Sequence, residues 1–401
     1  MFHIKYFLPY GLTLLLMVFS IGTNGVQAIE ASTESSRLTI EHTLASKNPV
    51  QDRTFSVQLP EGYYDSENTQ YPVLYILDGK ENLSFTKSVV DFLSSGGQMP
   101  SVIIVGLHSG DTRTADYVPV VTAKNNQRSP SGQANRFLNY IDKELIPFIN
   151  SNYRTSGYQL LSGHSFGGTF TSYALTQKPE LFSGYFAQSP SFVNALGDTM
   201  AGHMDAFLGS DIKQEKTYFL TLGSEPALEE GFDKIINLLE VKAPKDLVWH
   251  STRQKGRLHM QTRLIGLYDA LEQHFAKDWP LAQAAKAENV QAHINTVSAK
   301  YGLEARYDEA SFAEETQALF AAGNLGTATE MAAAFARVHP KSPIAHFMLV
   351  NAYSRAGEKA KALKEISIAR HLIENADVAT RTELQPLYGH LGRLEKRFSA
   401  E

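Results

Sequence analysis

Leu160-Leu161-Ser162-Gly163-His164-Ser165-Phe166-Gly167-Gly168 is the stretch that decides how this chain is read. An apolar run stops at a Gly-x-Ser-x-Gly, and a segment with apolar residues at helical spacing, Phe166 to Gln177, starts at once. A serine at the apex of such a strand-to-helix turn sits in strained backbone, with its hydroxyl exposed at the helix N-terminus. The partial positive charge there favours developing negative charge. Gly163 and Gly167 belong to the same geometry, because strand and helix approach too closely for side chains. A turn with a purely structural role needs no serine at its apex, so Ser165 is the candidate nucleophile.

Working outward, short apolar runs alternate with helix-like segments, the pattern of an α/β chain with a mostly parallel sheet. Strands are expected at Phe55 to Leu59, Val73 to Leu77, Val102 to Val105, Tyr158 to Leu161, Gly184 to Ala187, Tyr218 to Leu222 and Leu247 to His250. Several are continuous apolar runs, as in strands covered on both faces. Helical spacing also marks Gln133 to Asn150. After Trp279-Pro280 the composition turns to Ala, Glu and Lys with no strand-like run. The expected organisation is an α/β domain over 37–278, a linker or helix over 279–307 and an all-α repeat region over 308–398. In that last region Ala322-Gly323 recurs as Ala356-Gly357 and Ala328 as Ala362, both at an interval of 34 residues, the tetratricopeptide period. Pro340 falls where such repeats turn, Tyr353 fits an aromatic slot, Phe312 stands in place of the usual Trp, and a closing helix is expected over Arg381 to Arg397. An unrelated pair of helical hairpins is the alternative.

The 401 residues carry a formal charge of −5 and no cysteine. No long basic or acidic run selects for nucleic acid or an anionic membrane, so a small or neutral partner fits better. Without cysteine there is no disulfide, thiolate nucleophile or Cys-based zinc site, and oxidising surroundings do the chain no harm. Met1 to Lys5 is short and basic, Phe7 to Ile21 is apolar, and Val26-Gln27-Ala28 offers small residues for cleavage. That layout over residues 1–28 predicts a secretory signal peptide, a periplasmic or secreted protein and no membrane span after cleavage, with a single membrane anchor as the alternative.

A serine hydroxyl needs a base, and with an elbow of this kind the chain order is serine, acid, histidine. His259 meets the requirement: it follows the strand ending near His250 and a loop, and precedes a helix over Met260 to Phe275. His250 lies in a strand, His274 within a helix, and His203 ahead of the last two strands. For the orienting acid, Glu225 emerges just past the strand Tyr218 to Leu222, with Glu229, Glu230 and Asp233 as competitors close in sequence. The oxyanion requires two backbone donors, one at Phe166 and one in the turn Asp78-Gly79-Lys80, where the Lys80 amide is favoured and Gly79 permits the tight turn. No metal-ligand spacing, phosphate loop or dinucleotide glycine pattern is present, so no metal and no cofactor is expected.

Tyr71-Pro72-Val73-Leu74-Tyr75-Ile76-Leu77-Asp78-Gly79, Arg113 to Pro119, Gly163 to Gly168 and Ser189-Pro190-Ser191-Phe192 together resemble the esterase-D-like family. That family includes siderophore trilactone esterases, S-formylglutathione hydrolases, feruloyl esterases and mycolyl transferases. The resemblance covers Glu41 to Phe275 and implies an α/β-hydrolase fold, a small-molecule ester substrate and acyl transfer to water or an alcohol. It further implies that Arg113, Tyr117, His164 and Phe192 line the substrate pocket, although Arg113 and Asp116 could equally form a structural ion pair. The chain departs from the formylglutathione branch in offering Glu225 rather than Asp and in lacking cysteines. Three readings follow: a serine esterase, an acyltransferase with the same triad, or an inert scaffold whose repeats bind a protein or peptide.

Overall fold

The computed structural model describes residues 39–47, 50–121, 132–286, 289–305 and 307–400, so the expected signal segment lies outside the described residues. It opens with the hairpin β1 (Thr39–Lys47) and β2 (Val50–Gln58), then β3 (Tyr71–Ile76), α1 (Gly79–Ser95), β4 (Ile103–Leu107) and a short α2 (Arg113–Tyr117). A helix, α3, begins as Ala134–Tyr140, passes through a π-helical turn at Ile141–Leu145 and ends as Ile146–Asn152. There follow β5 (Thr155–His164), α4 (Phe166–Gln177), β6 (Gly184–Gln188), α5 (Asn194–Leu208), β7 (Lys216–Leu222), α6 (Pro226–Lys242), β8 (Leu247–Arg253) and α7 (His259–Ala276).

The strands form one 8-stranded sheet in the order β1-β2-β4-β3-β5-β6-β7-β8. β1 and β2 are antiparallel, β2 runs antiparallel to β4, and every pair from β4 to β8 is parallel. All residues of β3 and β4 are buried, as continuous apolar runs require when helices cover both faces. The pleat sorts alternate residues to opposite cores. Tyr75, Val105, Leu161 and Tyr185 face α3 and α4 with Phe137 and Phe170, while Leu74, Ile104, Leu160 and Phe186 face α7 with Leu267 and Leu271. Each of the seven expected strands forms. β1 was not expected, because its Thr-Ile-Glu-His-Thr-Leu-Ala-Ser-Lys carries no apolar run and is only half-buried at the sheet edge.

Beyond α7 every regular element among the described residues is helical: α8 (Leu281–Lys286), α9 (Val290–Tyr301), α10 (Glu309–Ala321), α11 (Leu325–Val338), α12 (Pro343–Arg355), α13 (Lys359–Glu374), α14 (Val378–Glu383) and α15 (Gln385–Ala400). Asn289, Asp308, Asn324, Ser342 and Asp377 each cap a helix through a side-chain oxygen. The hairpin α12/α13 begins 34 residues after α10/α11, counting Glu309 to Pro343. The single closing helix expected over Arg381 to Arg397 is instead broken at Leu384 into α14 and α15. Pro386 explains the break, since it has no N–H to continue the helical ladder.

The segment after α7 is packed into the sheet's second core. Trp279, Leu281, Val290, Ile294 and Tyr301 share one apolar cluster with Leu74, Ile104, Leu160 and Phe219. An aromatic chain crosses the seam: Tyr158 of β5 meets Tyr301 at 4.7 Å, and Trp279 lies 5.6 Å from Tyr301 and 5.5 Å from Tyr307. Gly302 ends α9 at φ 64°, and a Cβ there would lie 2.3 Å from the Ser156 carbonyl oxygen, so helix and strand meet where only glycine fits. Among the described residues, no helix is long and apolar enough to cross a membrane. Trp279→Ala is expected to cost about 3–5 kcal/mol and to lower a single melting transition shared by sheet and helices. Calorimetry that resolves a separate helical transition would contradict this shared core.

Candidate active site

Ser165 occupies the turn between β5 and α4 with φ 61° and ψ −122°, a conformation non-glycine residues rarely adopt. Its N–H donates to the Gln188 carbonyl at 3.0 Å, and its own carbonyl accepts from the Thr169 and Ser191 amides at 3.0 and 3.2 Å. A Cβ on Gly163 would lie 2.4 Å from the Gly167 carbonyl oxygen, and one on Gly168 3.0 Å from the Gln188 carbonyl oxygen. Glycine is therefore required where strand and helix cross. The Ser165 hydroxyl hydrogen-bonds the Ser191 hydroxyl at 3.2 Å rather than an imidazole.

Glu225 follows β7 and His259 begins α7 after β8. The imidazole Nδ1–H of His259 donates to Glu225 Oε1. Glu225 Oε2 accepts from the Gly223 amide at 2.8 Å and from the Ser189 hydroxyl. Because a carboxylate only accepts, Nδ1 carries the proton and Nε2 is left as the basic nitrogen. Burial alone would raise the Glu225 pKa; the hydrogen bonds from Ser189, His259 and Gly223 outweigh it and hold the carboxyl below its ordinary value. The His259 side chain is 37% exposed and that of Glu225 8%, so base and acid form a pair open to solvent on the imidazole side. The His259 carbonyl accepts from His164 Nε2–H at 2.8 Å and from the Thr262 hydroxyl at 2.7 Å.

The competing acids and histidines lie elsewhere. Asp233 is exposed and ion-paired to Arg253, Glu229 is exposed, and Glu230 bonds Lys234 at 2.9 Å. His250 is stacked on Phe219 at 4.8 Å, His274 is buried against the Tyr158 hydroxyl at 2.9 Å, and His203 packs on Tyr173 at 5.3 Å. The fold thus gathers Ser165, Glu225 and His259 at the C-terminal edge of the sheet. Sequence reasoning missed Ser189 and Thr262 as the groups that hold the acid and the histidine backbone. Ser189 lay inside a stretch already singled out, but its φ of 39° and its aim at Glu225 are products of the fold.

The turn Asp78-Gly79-Lys80 faces the elbow from β3. Asp78 is left-handed at φ 54°, and its N–H is taken by the Tyr117 hydroxyl at 3.1 Å. Gly79 abuts Gly106 so closely that a Cβ would lie 2.3 Å from the Gly106 carbonyl carbon. Among the described residues, the Gly79, Lys80 and Phe166 amides have no protein acceptor, as expected at helix starts. Arg113 grips Asp78 with two hydrogen bonds of 2.7 and 2.8 Å, and the Ser109 hydroxyl adds a third at 2.7 Å. This corrects the Arg113–Asp116 pairing: Asp116 is instead held by Arg53 from β2, because α2 aims its two charges in opposite directions.

Three expected pocket residues are corrected as well. Tyr117 is 0% exposed and its hydroxyl is used by Asp78; Phe192 is 1% exposed in the core; His164 is 6% exposed beneath His259. They form the wall behind the site rather than its surface, and of the expected set only Arg113 keeps an exposed portion. No His, Asp or Glu group among the described residues is clustered to hold a metal. A polar cavity of about 430 Å³, lined by Ser156, Glu215 and Lys300 among others, opens at the N-terminal ends of β5 and β7. Its lining contains no nucleophile–imidazole pair, and it lies at the opposite end of the strands from Ser165.

A mostly parallel sheet with a serine elbow after β5, a carboxylate after β7 and an imidazole after β8 defines the α/β-hydrolase class. Within that class the family model described as "Putative esterase" matches residues 46–304, and the chain belongs to this esterase family. It is 27% identical over 165 residues to the ferri-bacillibactin esterase BesA of Bacillus subtilis, a stretch covering 37% of this chain and 56% of that one. It is 25% identical over 136 residues to the siderophore triacetylfusarinine C esterase of Aspergillus fumigatus, covering 30% and 44%. The matches therefore span about half the length of these curated relatives. Among solved structures, an IroE-like serine hydrolase from Shewanella oneidensis superposes with a TM-score of 0.58 at 27% identity, covering 73% of this chain and 97% of that one. An uncharacterised protein from Capnocytophaga ochracea shares the fold at a TM-score of 0.65 and 17% identity, covering 88% and 99%.

The lowered pKa of Glu225 gives a signed expectation. A carboxyl depressed in the folded state stabilises above its ordinary value of 4.5 and loses that contribution as pH falls through the folded-state value. The stability difference between the wild type and Glu225→Gln should thus be full at pH 7 and narrow below pH 4.5. Denaturant titrations across that range check it, and a gap independent of pH would contradict the assigned ionisation.

Proposed function

We propose that the chain is an exported serine hydrolase that cleaves carboxylic esters without a cofactor, through an acyl-enzyme on Ser165. The observation that carries this is the meeting, at one sheet edge, of a strained serine elbow with a His259–Glu225 pair. In the proposed reaction the Ser165 hydroxyl exchanges its bond to Ser191 for one to His259 Nε2, which takes the proton as Oγ attacks the ester carbonyl. The oxyanion is held by the Phe166 amide and by the Gly79 or Lys80 amide. Collapse expels the alcohol, which receives the proton from His259. Water then repeats the sequence, the acid is released and the serine is regenerated. Glu225 keeps the imidazole in the Nδ1–H tautomer and stabilises the imidazolium.

For substrate we propose bulky, siderophore-like esters, on the printed names of the two curated relatives. Residues 308–398 are proposed as two tetratricopeptide-like hairpins with their closing helices, on the 34-residue offset, and residues 1–28 as an export signal.

Purified protein should hydrolyse short p-nitrophenyl esters and react with a fluorophosphonate probe at Ser165. Ser165→Ala and His259→Ala should each lower kcat by at least about 10³-fold. Unchanged turnover in Ser165→Ala would reject the reading. A screen of siderophore esters against feruloyl and acetyl esters tests the substrate, and preference for an acetyl ester would remove the bulky class.

A further inference from the structure

We propose that His164, the residue just before the nucleophile, is a positioning residue that sets the location of the His259 imidazole through a hydrogen bond to the His259 carbonyl. His164 Nε2 lies 2.8 Å from that oxygen. Its ring centroid is 4.4 Å from that of His259, with the planes at 45°. A carbonyl can only accept, so Nε2 carries the hydrogen and donates. The ring is 6% exposed, and burial, followed by the nearby His259, pushes its pKa down to about 4. The donor is therefore a neutral imidazole in one tautomer at neutral pH.

The consequence is geometric. Residue 164 is covalently joined to the nucleophile, and the Ser165 main chain is itself fixed by Gln188 and Ser191. One side chain and one peptide unit thus connect the serine to the histidine backbone, independently of the bond from Glu225. The carboxylate orients the ring of His259; His164 fixes the chain from which that ring hangs. Thr262 bonds the same carbonyl from within α7 and ties the helix to Ser189 at the end of β6 through its hydroxyl at 2.7 Å; His164 is the tether that runs directly to the residue bonded to Ser165. The His164 carbonyl in turn accepts from Arg113 at 3.4 Å, which puts the elbow, the histidine and the turn of Asp78 on one frame.

The inference rests on the ester-hydrolysis reading, and its test separates the two. His164→Phe retains the aromatic bulk and removes the donor; His164→Gln retains an amide N–H at comparable reach. With a p-nitrophenyl ester, His164→Phe is expected to lose about 10- to 100-fold in kcat, with KM changed less than about twofold, and His164→Gln to recover at least about a third of the wild-type kcat. Fluorophosphonate labelling rates should follow kcat. Wild-type kcat in His164→Phe, or no recovery in His164→Gln, overturns the positioning role while leaving the esterase reading intact. An inert wild type that the probe does not label removes the esterase reading instead. Independently of variant folding, ¹⁵N spectra of the wild type at pH 7 should show His164 as the neutral Nε2–H tautomer. An Nδ1–H tautomer or an imidazolium there overturns the hydrogen bond on which the proposal stands.

Discussion

The backbone of Ser165 is the constraint on which the rest of the site depends. Non-glycine residues at positive φ among the described residues are Asp78, Ser165, Ser189 and Asn194, and the first three converge on one sheet edge. Each such conformation costs on the order of 1–3 kcal/mol and persists only where its surroundings leave no alternative. For Ser165 those surroundings are the Gln188 carbonyl on β6, the glycines flanking the turn and the first turn of α4. Ser189 follows β6 and bonds the acid; Asp78 follows β3 and starts α1 beside the elbow. The strain is thus distributed over the ends of adjacent parallel strands, whose register sets the spacing between Ser165, Ser189 and the turn at Asp78.

The helices beyond α7 bear on this site from a distance. His259 begins α7, whose Leu267, Leu271 and Phe275 lie in the same apolar cluster as Leu160 and Phe186 of the sheet and Trp279 and Tyr301 of the later helices. Phe275 meets Tyr301 at 5.3 Å. The C-terminal end of the helix that carries the imidazole therefore packs against both the sheet and the appendage. Without the later helices Phe275 and the neighbouring sheet residues would face water, at roughly 25 cal/mol per Å² of apolar surface. The helical segment completes the second core, to which the far end of the His259 helix belongs.

What could be read from the chain and what could not divides along the range of the interactions. The central strands are continuous apolar runs and the elbow is a short motif, so local pattern was enough to find them. Ser165, His259 and Glu225 each follow a strand end, and a parallel sheet brings such ends together. β1 escaped because an edge strand with one half-buried face shows no apolar run. The partner of Arg113 escaped because α2 turns Asp116 toward Arg53 and Arg113 toward Asp78, and neither contact is local in sequence. Tyr117, His164 and Phe192 were expected to line the pocket because the family resemblance implied it. A resemblance carries residue identity but not exposure, and in a sheet covered on both faces these three side chains are buried.

The charges around the site follow a consistent pattern. Arg113 and Asp78 neutralise each other in the turn that follows β3, which leaves the exposed Lys80 as that turn's remaining charge. His164 is neutral and adds no repulsion toward a neighbouring imidazolium. Glu225 is ionised, with three donors bound to it, one of them the histidine. In the proposed reaction this carboxylate comes to face a cation once His259 Nε2 takes the serine proton. The electrostatic gain from that pairing appears only as the proton moves, which is the condition for lowering a barrier rather than tightening the resting state.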